Sequence, residues 1–262
     1  MANRDLAETL NHAIRNHDDP ATVKAGAPAY LLLIDGFIQQ SPRDTATLVA
    51  GSKLFASYAA VFVEDEQRAR RMAGKAYDYS SRALCQRESS LCAVNEIPYD
   101  AFVARLPSLD DDDLPELFAC ATAWALLIQT RSDDWNALAN LPKVEAMLER
   151  VLALEEKYEQ GQAHLYLGVL RSLRPPAAGG RPEVGRSHFE KVIAMSEGRN
   201  LMAKVEFARR YARLVFDRAL HDRLLREVLE ADPYVPDLTL SNILAQQEAR
   251  RLMNTSAAYF GE

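Results

Sequence analysis

The sequence predicts an all-α fold of about 10–13 helices, and three observations carry that prediction. Apolar and small residues recur at three- and four-residue steps through most of the 262 residues, which is the repeat of a helix with one buried face. Proline- and glycine-containing breaks divide these stretches, and the connections are short, so consecutive helices are expected to pack as antiparallel pairs. No segment combines strand-like alternation with hairpin turn residues.

The first predicted helices lie in the N-terminal part of the chain. Residues 66–85 have the clearest pattern, because small and apolar residues such as Ala69 and Met72 fall on one helical face. The most hydrophobic stretch, residues 29–38, is interrupted by Asp35 and a following glycine. It is also shorter than the roughly 18 to 20 apolar residues that span a bilayer. The sequence therefore predicts no membrane-spanning segment.

The later helices follow one another between clear breaks. Four acidic residues, 110–113, precede Leu114 and Pro115, and acidic residues before a proline in the first turn are typical of a capped helix start. Beyond this start, apolar stripes predict helices over 114–130, 143–154, 161–173, 183–195, 201–216, 221–231 and 238–253.

An internal repeat runs through these later helices. Segments that begin at Leu148, Phe189 and Leu225 share one pattern of apolar and charged residues, with spacings of 41 and 36 residues. These spacings approach the roughly 34-residue period of tetratricopeptide repeats. The sequence therefore predicts a solenoid of degenerate, tetratricopeptide-like helix pairs, in which stacked neighbours bury their apolar faces and leave a concave binding surface.

Small and aromatic residues support the repeat. His164 and Gly168 take the places of the first-helix Trp and Gly of the repeat signature, and Gly185 and Phe189 take those of the second-helix small residue and Phe. A small residue lets two helices approach closely while the aromatic ring fills the gap beside it. We therefore expect residues 164–189 to form one closely packed helix pair.

The composition is that of a folded globular protein. We expect one all-helical domain over residues 1–262, with an N-terminal helical part at 20–106 and the degenerate repeats at 114–257. The formal charge of −6 and the pI near 5.5 argue against a nucleic-acid partner, since such binders present a basic field to phosphates. Residues 1–5 contain neither a hydrophobic signal core nor a lipoprotein-type cysteine, which fits a cytosolic protein or a trimmed chain.

The sequence predicts no catalytic site, no metal site and no cofactor. It contains no GxSxG, Walker or GxGxxG motif, and its five histidines never adopt an HExxH spacing. The three cysteines have no histidine at a zinc-finger spacing. Two interpretations of Cys85 and Cys92 stay open: a disulfide formed in an oxidising compartment, or free thiols.

One group of candidate binding residues is aromatic and acidic. Trp124 lies on a predicted helix, and Asp134 and Trp135 lie in the acidic turn that follows it. A large aromatic in an exposed turn is typical of an interface hot spot. The alternative is a helix cap with Trp135 folded onto the core. Tyr166 completes this group, as part of a cleft for a small apolar or carboxylated ligand.

A second group is polar and cationic. Arg174 lies in the Arg-Pro-Pro loop and has guanidinium donors for a carboxylate or a partner surface. Asn200, Lys204 and Arg213 lie in or just before one predicted helix, where a cationic stripe suits an anionic ligand or an acidic partner. The alternatives are a tolerated loop insertion and a solvated helix face. His164 is a candidate with a structural alternative, since it stands where the repeat packs an aromatic.

Several stretches resemble one known family along nearly the whole chain. They are GAPAYLLLIDG at 26–36, SDDW at 132–135, LPKVE at 141–145, HLYLG at 164–168, GRNLM at 198–202 and LTLSN, which ends at Asn242. Together they are similar to the T-component of tripartite ATP-independent periplasmic (TRAP) transporters. The resemblance implies a periplasmic, usually lipid-anchored protein with a tetratricopeptide-like fold. It also implies a homo-oligomer, with a trimer favoured, although signal and anchoring cysteine are absent from this chain.

The function that the resemblance implies is non-catalytic. A T-component of this kind works beside the substrate-binding P-component and the membrane permease, so we expect a scaffold that docks the P-component and holds a ligand. Two alternatives stay open at this point: a stand-alone carrier of a small hydrophobic or carboxylate ligand, and a cytosolic tetratricopeptide adaptor or enzyme.

Overall fold

The computed structural model describes residue 9 and residues 11–261. Within these residues the protein contains 13 α-helices and no strand, and 77% of it is helical. The prediction of an all-α fold is confirmed, and the number of helices falls inside the predicted range. The helices are α1 (Pro20–Gln40), α2 (Thr45–Phe62), α3 (Glu66–Arg87), α4 (Tyr99–Val103), α5 (Leu114–Gln129), α6 (Trp135–Leu138), α7 (Leu141–Leu154), α8 (Gln162–Arg171), α9 (Pro182–Met195), α10 (Leu201–Glu206), α11 (Arg218–Glu230), α12 (Thr239–Asn254) and α13 (Ser256–Phe260).

The described residues group into two compact units. Unit 1 comprises residues 24–156, and unit 2 comprises residues 9, 11–23 and 157–261. The expectation of one domain over the whole chain stays a prediction.

Unit 1 is built on α2, α3, α5 and α7, each packed along the next. Asp44 and Asp65 cap α2 and α3, because their side chains accept hydrogen bonds from backbone N–H groups in the first turn. The acidic run before α5 forms a capping box between Asp110 and Asp113 around a 3-10 turn that leads into the helix, whereas Asp113 makes no side-chain cap to α5 itself. The core between the helices contains small and aromatic side chains, among them Phe55 and Ala76.

The helices α1 and α2 correct one expectation. Both are long and apolar enough, by length and composition, to cross a membrane, whereas the sequence analysis treated Asp35 as a break. Asp35 does not end the helix, because its carboxylate pairs with Lys75 and accepts a 2.6 Å hydrogen bond from the hydroxyl of Tyr79. On the neighbouring positions of α1, Leu31 and Ile34 are buried in the core of unit 1.

In unit 2, α8 and α9 form the closely packed pair that the sequence predicted. A Cβ at Gly168 would lie 2.9 Å from the ring of Phe189, and one at Gly185 would lie 2.9 Å from the carbonyl oxygen of Gly168. Phe189 itself is fully buried. Only glycine at both positions permits this approach.

The remaining helices of unit 2 pack around the core that contains Phe189. The helix α10 continues through a π-helical segment, Phe207–Ala212, which stacks Phe207 on Phe189 with ring centroids 5.2 Å apart. The helices α11 and α12 pack against each other, and α13 packs on both. Residues 11–17 also belong to this unit, where the Asn16 side chain accepts a 2.8 Å hydrogen bond from the backbone N–H of Asp237.

Candidate functional site

Trp124 is buried in unit 1, next to the side chains of Tyr77 and Lys143. Its ring lies 5.4 Å from that of Tyr77, and the ammonium of Lys143 lies 5.8 Å from its centroid. Lys143 is buried and donates two 3.1 Å hydrogen bonds, to the carbonyl oxygens of Val94 and Asn95. Burial lowers the pKa of Lys143. Through its two hydrogen bonds, the ammonium stabilises the segment around residue 94 from inside the unit.

Two further polar groups share this interior. Burial raises the pKa of the Tyr77 hydroxyl well above its usual range, and no hydrogen-bond partner for that hydroxyl is present among the described residues. Cys120 is fully buried, and burial raises the pKa of its thiol to about 12. A thiol of this kind is inert as a nucleophile at neutral pH.

Cys85 and Cys92 form a disulfide, with their Cα atoms 4.5 Å apart. The bridge joins the end of α3 to a segment whose Leu91 and Val94 are fully buried. One of the two interpretations left open by the sequence is thereby selected. The bond closes the same segment that Lys143 holds through its backbone carbonyls.

Trp135 points outward, unlike Trp124. It is 83% exposed and starts the short helix α6, which the side chain of Asp134 caps by accepting a 2.9 Å hydrogen bond from the N–H of Asn136. The cap agrees with the structural alternative for this turn, but Trp135 is not folded onto the core. The neighbouring Asp133 is tied to Arg70 by a 3.1 Å hydrogen bond.

In unit 2, His164 has a structural neighbour that the sequence analysis missed. Its Nδ1 lies 2.7 Å from Nδ1 of His188, and His164 is buried. Burial, helped by His164 and Lys191, lowers the pKa of His188 to about 4. Tyr166 lies on the same helix, and burial together with nearby Glu206 raises its pKa to about 12.

Arg174 lies at the exposed start of a tightly folded turn. The backbone N–H groups of Gly179 and Gly180 donate to the carbonyl oxygens of Pro176 and Pro175, at 2.9 and 3.1 Å. A Cβ at Gly180 would lie only 1.7 Å from the carbonyl oxygen of Arg174. The turn borders a shallow apolar cavity of about 420 Å³ lined by Pro176, Gly180, Arg181, Pro182, Glu183, Val184, Leu214 and Val215.

Four other predicted site residues make contacts inside unit 2. Asn200 caps α10 by accepting from the N–H of Ala203. Asn242 is fully buried and bonds the backbone of Leu201, Arg199 and Pro233. Lys204 pairs with Glu227 at 2.9 Å. Arg213 donates to Thr255 and to His221. The structure therefore does not gather these side chains around one cleft, and their role in binding stays a prediction.

A model of the family described as TRAP transporter T-component matches residues 16–260. The chain belongs to the TRAP transporter T-component family. The resemblance found in the sequence is thereby confirmed, and with it the accessory role of the chain in a TRAP transporter. No curated protein matches the chain.

Sequence reasoning missed two clusters in this T-component. One is the pair of His164 and His188, 24 residues apart, a spacing that predicts no contact by itself. The other is centred on the fully buried His221, which contacts Asp222 and Arg213. In the part of the chain that is described, no group of three or more His, Cys, Asp or Glu side chains that could hold a metal ion is found.

Proposed function

We propose that this T-component is a non-catalytic periplasmic scaffold that docks the substrate-binding P-component of its transporter. The family match over residues 16–260 is the observation that carries the proposal. The close α8–α9 pair supports a tetratricopeptide-like solenoid, a fold that acts by offering surface rather than reactive groups.

The disulfide supports the periplasmic part of the proposal. Disulfides form and persist in oxidising compartments such as the periplasm and are rare in the cytosol. Alkylation of cell extracts under acid-quenched conditions tests this. We expect Cys85 and Cys92 to be protected from the alkylating reagent and Cys120 to react only after unfolding. Alkylation of Cys85 and Cys92 in the native state would favour the cytosolic adaptor instead.

Docking is tested by titrating the purified P-component of the same transporter into this chain in a calorimeter. We expect a dissociation constant of about 10 µM or tighter. Absence of binding at several times that concentration would contradict the proposal. Trp135→Ala tests the exposed turn within the same experiment, because truncating an aromatic hot spot typically costs about 2 kcal/mol or more of binding free energy.

The matched control is Tyr234→Ala. Tyr234 is a large aromatic that is 64% exposed, as Trp135 is exposed, but it lies in unit 2. Equal loss of affinity in both variants would remove the turn at Asp134 and Trp135 from the docking surface. It would leave the scaffold function intact.

A small-ligand carrier is the second candidate function, and one observation favours it. The Tyr77 hydroxyl is buried beside Trp124 and has no hydrogen-bond partner in the described residues, and an unsatisfied buried hydroxyl is costly. A bound polar group would satisfy it. Native mass spectrometry of protein purified from its own host is expected to show an added small organic mass, and bare protein would contradict the carrier function.

The oligomer and the anchor belong to the same proposal. We infer a homo-oligomer, with a trimer favoured, and a lipid anchor in the native precursor. Light scattering is expected to give three times the 29.3 kDa chain mass, and fatty-acid labelling in cells is expected to mark the precursor. A monomer, or an unlabelled protein, would contradict the respective part.

A further inference from the structure

The C-terminal helix α13 rests on one network of polar side chains in unit 2. The hydroxyl of Ser256 donates a 2.6 Å hydrogen bond to Oδ1 of Asp222. Arg213 donates to the Thr255 hydroxyl at 3.1 Å, and its guanidinium lies 4.4 Å from the ring centroid of Tyr259. These contacts depend on where the side chains of Asp222 and Arg213 are held, and the Tyr259 hydroxyl adds a 3.3 Å hydrogen bond to the backbone carbonyl oxygen of Arg213.

His221 holds both of these side chains. It is fully buried, with Nδ1 2.8 Å from Oδ1 of Asp222, while its Nε2 accepts a 3.3 Å hydrogen bond from Nε of Arg213. A guanidinium can only donate, so Nε2 must be unprotonated and the proton must lie on Nδ1. The ring of Phe260, at the end of α13, packs edge-on against the imidazole with centroids 5.2 Å apart.

We propose that His221 is a pH-sensitive latch that holds α13 on unit 2 when neutral and releases it when protonated. A proton on Nε2 turns the acceptor that faces Nε of Arg213 into a donor, so the two groups then repel. Arg213 then moves away from Thr255 and Tyr259, and the helix loses the two contacts that the guanidinium makes with it. This inference is independent of the proposed docking function.

The surrounding charges set the direction of the effect. Burial, with Arg213 and Arg218 adding to it, lowers the pKa of His221 against the opposing influence of Asp222. Partial burial opposes ionisation of Asp222, but hydrogen bonds from Ser256, His221 and Arg218 lower its pKa, so it stays charged. The other charged or titratable groups that act on this network do so through Arg213, and they are Arg209, Glu248, Arg251 and Tyr259.

The sign follows from proton linkage. In the released state an exposed histidine has a pKa near 6.5, and in the latched state the pKa is lower, so release takes up a proton. The stabilisation is full above about pH 6.5 and is lost as the pH falls below that value. Histidine is the side chain whose charge changes in this range.

Hydrogen exchange of the C-terminal peptide tests the latch directly. The N–H groups of Tyr259 and Gly261 donate to the carbonyl oxygens of Thr255 and Ala257, so they are protected only while α13 is formed. After correction for the intrinsic pH dependence of exchange, we expect a loss of protection between pH 7.5 and 5. Constant protection over that range would overturn the proposal.

His221→Gln separates the latch from general acid sensitivity. The glutamine amide can donate to Asp222 and accept from Arg213 without titrating, so we expect protection at pH 5 to stay at its value at pH 7.5. His188→Gln, at the other buried histidine cluster, is the matched control and is expected to keep the wild-type pH dependence at α13. Loss of protection at pH 5 in a folded His221→Gln variant would overturn the proposal.

A second measurement needs no variant. An NMR titration of the wild-type His221 ring is expected to give a pKa below 6.5, and the loss of α13 protection is expected to follow that titration. Release that follows the titration of another group would assign the sensitivity elsewhere and overturn the proposal.

Discussion

The two units differ in the side chains that can change state. All three cysteines and both tryptophans lie in unit 1, whereas all five histidines lie in unit 2. Burial raises the pKa values of the Cys120 thiol and the Tyr77 hydroxyl in unit 1, so neither group titrates near neutral pH. Unit 1 is therefore sensitive to reductant, and unit 2 to acid.

This difference gives unit 1 a probe of its own. Because Trp124 and Trp135 are the only tryptophans, indole fluorescence reports on unit 1, while circular dichroism reports on the helices of both. A perturbation confined to unit 2 is expected to change the second signal more than the first. Equal shifts of both signals would show that the units unfold as one. That result would contradict the idea that the two units respond separately.

The largest expected effect is in unit 2. Phe189→Ala removes a fully buried ring that packs on Gly168 and Phe207, and such truncations cost about 3–5 kcal/mol of folding free energy. The free energy of unfolding, measured by urea denaturation with circular dichroism, is expected to fall by that amount. Phe216→Ala is the control, because Phe216 is 64% exposed. A similar loss in both variants would contradict the packing argument.

Reduction is expected to affect unit 1 next. The Cys85–Cys92 bond closes a short loop with a sequence separation of 7, for which loop-closure entropy gives about 2–3 kcal/mol. In the double variant Cys85→Ser, Cys92→Ser, the free energy of unfolding measured by tryptophan fluorescence is expected to be lower by this amount. Dithiothreitol is expected to lower the wild-type transition equally and to leave the variant unchanged. A response of the variant to dithiothreitol would contradict the assignment.

Acid is expected to have a smaller effect, confined to unit 2. The pKa of His188 is about 4 in the folded protein and about 6.5 when unfolded. Its contribution to stability is present above pH 6.5 and is lost as the pH falls toward 4, which amounts to roughly 1 kcal/mol by pH 5.5. His188→Gln is expected to reduce this loss, measured as the difference in unfolding free energy between pH 7.5 and 5.5. The same difference in unfolding free energy in the variant and the wild type would contradict the contribution assigned to His188.

The smallest effect on stability is expected at Trp135. Replacing this exposed side chain by Phe is expected to change the unfolding free energy by less than about 0.5 kcal/mol. The same change is expected to remove most iodide quenching of the fluorescence, since Trp124 is only 3% exposed. Strong quenching in Trp135→Phe would show that Trp124 is accessible and would weaken the assignment of a closed interior to unit 1.

The sequence predicted most of the fold because helical periodicity is local. The α8–α9 pair followed from Gly168, Gly185 and Phe189, whose sizes determine how closely two helices can approach. The full extent of α1 did not follow, because the charge of Asp35 looks like a break until its partner Lys75 is known. That partner is 40 residues away and could not be inferred from periodicity.

The candidate site was less predictable than the fold. Whether Trp135 folds inward depends on the space left by its neighbours, which a sequence pattern does not specify. Cys85 and Cys92 are a plausible pair at their spacing, but only the path of the chain between them determines that they meet. The contact of His221 with Arg213 joins α11 to the end of the π-helical segment, and no motif marks it.

The turn after Arg174 has a practical consequence for labelling the protein. Gly180 has no room for a side chain, and the backbone bonds of the turn are satisfied internally, whereas Ala177 faces solvent. A fluorophore or spin label attached to a cysteine at residue 177 would therefore sit on a fixed base beside the apolar cavity. Its signal would report what approaches that side of unit 2 without disturbing the chain that carries it.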